Sequence, residues 1–178
     1  TSHITSTAFL EKYEQYYGEG YTDVIHVTIN GKGSNMNSAA KIARDMFFEE
    51  HPDAKELYNI HIVDSMTYSV CYGYPIAQGA KMAANGVGAH EILKYLDDFF
   101  NSLEIYFSVY SLDFVKKSGR VSCAAAFVGE VLGLRPVISI IDGETKIVAK
   151  VRGDKNVVPK LAEIASQRRE KPGTPFLL

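Results

Sequence analysis

The chain has 178 residues, is 46% apolar and carries a formal net charge of −2. These values describe a globular protein of one domain or two small ones. A general polyanion binder would be basic overall, so a nucleic-acid-coating role is disfavoured, and without a run of about 18 apolar residues no membrane-spanning helix is expected. Cys71 and Cys123 are the only cysteines and lie far apart. Reduced thiols in a cytoplasmic protein are the expectation. No basic segment followed by an apolar one marks a signal peptide. The opening T-S-H-I-T-S and the closing K-P-G-T-P-F-L-L read as cut ends of a longer protein.

In chain order, residues 5–17 place Phe9, Tyr13, Tyr16 and Tyr17 at helical spacing, closed by Gly18 and Gly20. Residues 24–29 form a β-branched run and predict a strand. Asn30-Gly31-Lys32-Gly33-Ser34-Asn35 is a polar loop. Ser38 is expected to open a helix with Ala39, Ile42, Ala43, Met46 and Phe47 inward, ending before Pro52. A second strand at residues 59–63 completes a βαβ unit with a parallel pair. A helix over 72–84 carries Pro75 in its first turn and breaks at Asn85-Gly86-Val87-Gly88. The next helix, from Ala89, buries Ile92, Leu93, Leu96, Phe99 and Phe100.

At Leu103 the pattern changes. Residues 104–110 read as a strand, 112–117 as a short helix, and 124–132 as an apolar helix. Residues 136–141 and 145–151 flank Asp142-Gly143, a two-residue hairpin signal. A last helix uses Val157, Val158, Leu161, Ile164 and Ala165, with Pro159 in its first turn. The fold class is therefore α/β with two lobes. A parallel βαβ lobe spans 1–102, and a mixed α+β lobe with an antiparallel hairpin spans 103–178.

Ligands of parallel sheets sit at the carboxyl ends of strands. The 30–35 loop lies there, and a helix N-terminus behind it suits a carboxylate or phosphate. Gly31 and Gly33 let a backbone approach closely, while Ser34, Asn35 and Asn30 add polar side chains. The plainer reading is a tight turn with a capping Ser or Asn. Asp64 and Ser65 end the next strand, as helpers of the same site or as a turn cap. Arg120 and Arg152 stand in Gly turns on either side of the 124–132 helix. Guanidinium forks match carboxylates and phosphates, although surface arginines are often simply paired with acids. The five histidines show no metal-ligand spacing with one another or with the cysteines, and no G-x-S-x-G elbow exists.

Several motifs occur in order. Residues 112–121, L-D-F-V-K-K-S-G-R-V, are similar to L-x-Y-L-K-K-G-G-R-I; 132–139 is similar to L-x-I-K-P-I-L-S; 150–153 to K-V-R-T/G; Val63-Asp64-Ser65 with Ser69 and Gly73 to V-D-S-x-x-x-S-x-G-x-G; and Thr1-Ser2 to T-S-Q-P. On these grounds the chain resembles the DegV family of bacterial fatty-acid-binding proteins over nearly its whole length. The resemblance implies one long-chain fatty acid buried between two lobes, without catalysis by the protein itself and without a cofactor or metal. In some members a separate fatty-acid kinase phosphorylates the presented carboxylate. The family's carboxylate-binding Thr falls on Thr1, beside Ser2. Its binding Ser falls on Gly33, with Ser34 where Gly is usual, so either Ser34 supplies the hydroxyl from one position on or backbone N–H groups do. Asn30 and Asn35 complete that loop. Phe107, Val109, Ala125, Phe127 and Val128 are the expected pocket wall, and Arg120 and Arg152 the rim that a kinase or phosphate meets. The rival is a phosphotransferase or hydrolase acting on a small anionic molecule at the same loops.

Overall fold

The computed structural model describes residues 3–111, 115, 117, 119 and 133–169. The expected helix over 124–132 and most of that over 112–117 lie outside these. The chain divides into two compact units, Thr1–Ser102 and Leu103–Leu178.

The first unit runs α1 (Ser6–Gly18), β1 (Asp23–Thr28), α2 (Met36–Glu50), a short 3-10 turn (Pro52–Glu56), β2 (Asn59–Asp64), α3 (Val70–Ala84) and α4 (Ala89–Ser102). β1 and β2 pair in parallel, from Asp23 opposite Asn59 to Thr28 opposite Asp64. Alternation along the strands separates two cores. Val24, Ile60 and Ile62 join Phe9, Leu10 and Tyr13 of α1 and Ala39, Ala40, Ala43 and Phe47 of α2. Ile25, Val27 and Val63 join Ile92, Leu96 and Phe100 of α4. The small alanines let α2 lie close on the sheet, and Phe47 fills the space beside Tyr17 and Tyr58.

Four expectations change here. α2 starts at Met36 rather than Ser38, because Asn35 occupies the cap position. Ile42 is 52% exposed, since the alanine face and not the Ile42 face meets the sheet. α3 begins at Val70, so Pro75 stands inside the helix, where it is buried. Leu93 and Phe99 are half-buried, on the flank of the α4 stripe.

The second unit holds β3 (Ile105–Ser108), β4 (Leu134–Ile141), β5 (Glu144–Arg152), a 3-10 turn (Asp154–Asn156) and α5 (Val157–Arg168). The sheet is antiparallel with β4 in the centre. Central position explains the unbroken buried run from Pro136 to Ile140, whereas edge strand β5 alternates between exposed and half-buried. Asp142 (φ 52°) and Gly143 (φ 72°) both take the left-handed conformation that a two-residue turn of this hand requires. β3 is shorter than the seven residues expected, because its register with β4 covers only Ile105 to Ser108. Asn156 precedes α5 and Pro159 lies in the first turn. Val157 and Ile164 turn inward, but Val158 is 66% exposed. Glu104 binds the Arg168 guanidinium, with 2.9 Å to Nε, and ties the end of α5 to the start of β3.

His26 sits among the aromatics of the first core. The Phe9 ring meets it edge-on at 4.6 Å, and the Tyr13 hydroxyl and His26 Nδ1 share a hydrogen bond of 2.6 Å. Burial raises the Tyr13 phenol above its ordinary value. The same burial lowers His26 from its ordinary 6.5. The unfolded state therefore takes up the proton first on acidification, and folding stability drops as pH falls below about 6.5 towards the lowered value. Denaturant melts at pH 7.5 and 5.5 are expected to show this loss in the wild type and a smaller one in His26→Gln.

Candidate functional site

Parallel pairing brings the ends of β1 and β2 side by side, and the loops that leave them are bound to each other. The Asp64 carboxylate accepts from Gly31 N at 3.1 Å and from Met66 N at 2.9 Å. Asn30 N donates to Thr67 O at 2.9 Å, and Ser65 N to Thr28 O at 3.0 Å. Asn30 is buried and its side-chain oxygen accepts from Lys32 N at 3.0 Å. Beneath the loop, buried Asn37 donates to the Thr28 hydroxyl at 3.0 Å. Asp64 thus acts as the cap of two turns, which was one of the two roles its position allowed.

Close approach explains the glycines. A Cβ on Gly31 would stand 2.5 Å from Asp64 Oδ2, and one on Gly33 would run into the Tyr68 ring, 3.2 Å from Cζ and nearer still to the hydroxyl. The facing loop carries backbone strain: Met66 (φ 53°) and Ser69 (φ 56°) are non-glycine residues in left-handed territory. Each such residue costs on the order of 1–3 kcal/mol and persists only where its surroundings hold it.

At the start of α2, Met36 N donates to Ser34 Oγ at 3.3 Å, and Asn35 makes no side-chain cap. The amides of the first turn face the loop with little competition from side-chain acceptors. Gly33, Ser34 and Asn35 therefore stand together at a helix N-terminus, Gly33 and Ser34 half-buried and Asn35 exposed. Thr1, Ser2, Arg120, Ala125, Phe127 and Val128 lie outside the described residues.

In the second unit Phe107 and Val109 are half-buried, and Val109, like Val115, Leu134 and Ile147, packs against the apolar core of that unit. Arg152 ends β5 with its side chain exposed. Its neighbour Arg135 is the arginine that finds an acid, Asp154 at 2.7 Å.

Two features escaped the sequence reading. A cleft of about 430 Å³ runs beside β1, lined by Asp23, Ile25, Val27, Ile76, Ala80 and Ile92 among others. It includes none of the residues of the 30–35 loop, and its parts come from three elements too far apart in sequence for any spacing to signal it. Among the described residues one trio, Glu14, Glu50 and His51, brings possible ligand atoms within 4.8 Å of one another on the surface. Cys71 carries no sign of a nucleophile, since burial raises its thiol. No helix among the described residues is long and apolar enough to cross a membrane.

The sequence matches the DegV family, described as a family of uncharacterised proteins, over residues 1–177. The chain belongs to the DegV family. A fatty acid-binding protein of Thermotoga maritima is 31% identical over 166 residues, which is 92% of this chain and 54% of that protein. A stearic acid-binding protein from Eubacterium ventriosum superposes with a TM-score of 0.79 at 25% identity, covering 92% of this chain and 54% of that one. The fatty acid kinase (Fak) B3 protein of Streptococcus pneumoniae, solved with linoleic acid, has the same fold, with a TM-score of 0.75 at 22% identity and coverage of 93% and 56%. The chain thus spans little more than half the length of these DegV relatives.

Asp64→Ala would leave the Gly31 and Met66 amides without their shared acceptor. A cost of about 2–4 kcal/mol is expected from two hydrogen bonds to a charged group. Urea denaturation of the variant checks it, and Asp64→Asn should recover part of the loss.

Proposed function

We propose that this protein is a fatty-acid carrier, without catalysis of its own, that holds the carboxylate of one long-chain acid at the loops ending β1 and β2. The observation that carries the reading is membership of the DegV family, together with a relative described as a fatty acid-binding protein. Physical chemistry supports it. Burying the ~15 carbons of a C16 tail gains roughly 10 kcal/mol before ordering costs. The carboxylate would cost several kcal/mol to bury without hydrogen bonds, and the loop offers donors for it. Ser34 Oγ accepts from Met36 N, which leaves its own O–H to donate. Asn35 supplies an uncommitted side chain beside the cap, and the backbone of Gly33 can approach closely. Thr1 and Ser2 are proposed to complete the grip. Phe107, Val109, Ala125, Phe127 and Val128 are proposed to face the acyl tail.

We further propose that the carboxylate is offered to a separate fatty-acid kinase in the cytoplasm, with Arg120 and Arg152 at the rim that meets the kinase or the acyl phosphate. Arg152 is exposed, as this role requires.

Native mass spectrometry of the purified full-length protein tests the carrier reading. A bound mass matching a C14–C18 acid is expected. A protein that carries none, and takes up none when oleate is added, overturns the reading. Ser34→Ala is expected to weaken oleate about five- to tenfold in displacement of a fluorescent fatty-acid analogue, the loss of one hydrogen bond to a charged group.

A further inference from the structure

Position 33 has no side chain, yet the space beside it is occupied. The Tyr68 hydroxyl sits where the first side-chain atom of a residue 33 would have to be, with Cζ 3.2 Å from that point. Tyr68 comes from the other loop, the one that leaves β2, and reaches across to the loop that leaves β1. Its ring is half-buried. The residues on either side of its peptide unit are constrained: Thr67 is buried with its carbonyl accepting from Asn30 N, and Ser69 holds a left-handed backbone. The phenol is therefore placed by the same contacts that join the two loops.

Among the described residues no hydrogen bond is made by the Tyr68 hydroxyl. The next side chain along, Thr67, is 2% exposed, and its hydroxyl faces the Cys71 thiol rather than the Tyr68 phenol. The Tyr68 hydroxyl therefore keeps its O–H to donate at the strand end, beside the loop that leaves β1. The groups around it select the charge of a ligand there. A phenol donates an O–H, Ser34 keeps an O–H to donate, and the first turn of α2 presents N–H groups at the positive end of its dipole. The Asp64 carboxylate, at the end of β2, is already turned towards the Gly31 and Met66 amides. Donors without a competing acceptor fit an anionic oxygen.

We propose that Tyr68 donates its phenolic O–H to the carboxylate of the bound fatty acid, and that residue 33 is glycine because that hydroxyl needs the space. This rests on the carrier reading above. Tyr68 is then a head-group ligand of this chain that works across the loop pair, in place of a hydroxyl side chain at position 33. It makes one charge-assisted hydrogen bond and takes part in no covalent step.

The test is equilibrium displacement of a fluorescent fatty-acid analogue from the full-length protein by oleate and by methyl oleate, which lacks the anionic oxygen. Tyr68→Phe keeps the ring and removes only the hydroxyl. It is expected to weaken oleate about tenfold and to leave methyl oleate unchanged, with an unaltered thermal melt. Tyr68→Ala should lose as much, and Gly33→Ser combined with Tyr68→Ala should return oleate affinity to within about threefold of the wild type, since the serine hydroxyl then enters the vacated space. Unchanged oleate affinity in Tyr68→Phe overturns the proposal while leaving the carrier reading intact. An equal loss for oleate and methyl oleate also overturns it, because it would assign Tyr68 a packing role alone. A wild-type protein that takes up no oleate removes the carrier reading itself.

Discussion

The Asp64 carboxylate is the contact on which the candidate site depends. It is the last residue of β2, and parallel register sets it opposite Thr28, the last residue of β1. From there its two oxygens reach backbone amides in both departing loops, Gly31 on one side and Met66 on the other. A loop alone would pay conformational entropy for every residue it orders. Joined through one acceptor, each loop becomes part of the other's support. The left-handed Met66 and Ser69 are tolerable for that reason, and Gly31 is required because no Cβ fits under the carboxylate.

The elements that follow simple periodicity were legible in the sequence. The β-branched run V-I-H-V-T-I marked a strand, and Asp142-Gly143 the hairpin, because those signals arise within a few residues. The misjudged positions share a cause. Ile42 and Val158 are apolar residues at the edge of a helical stripe, and whether they face a core depends on which neighbour packs there. Their exposure follows from tertiary placement, which spacing does not encode. Pro75 was misplaced for a related reason. Proline favours a first turn, but the signal that starts α3 lies earlier, in a strained loop with no side-chain cap.

The site was legible to a different depth. A polar Gly loop between a strand and a helix marks the place where ligands meet parallel sheets, and Gly33, Ser34 and Asn35 do gather at the start of α2. Which hydroxyl fills position 33 was not legible. Gly33 and Tyr68 lie 35 positions apart, on loops that adjoin only through the β1–β2 register. Read along the chain, Gly33 is a missing serine, where the resemblance expects a hydroxyl. Read in space, it is an opening filled by a phenol. A glycine at one position and a phenol that reaches it across a contact leave no trace in local spacing.

On the proposed function, the kind of donor matters as much as its presence. The donors proposed for the grip, at Ser34, Asn35, Tyr68 and the backbone amides, are hydroxyl and amide groups rather than fixed cations. Neutral donors satisfy a carboxylate without pairing it to a fixed cation, so less of its negative charge is quenched than by a bidentate guanidinium. A carboxylate that is to attack a phosphoryl group must keep that electron density. It must also leave the grip as an acyl phosphate, which is easier from single hydrogen bonds than from a buried ion pair whose breaking would strand a charge. A rim role for the arginines, as proposed, would fit this division. Cations placed there would stabilise an acyl phosphate once formed, while neutral donors in the loops would hold the acid that receives it.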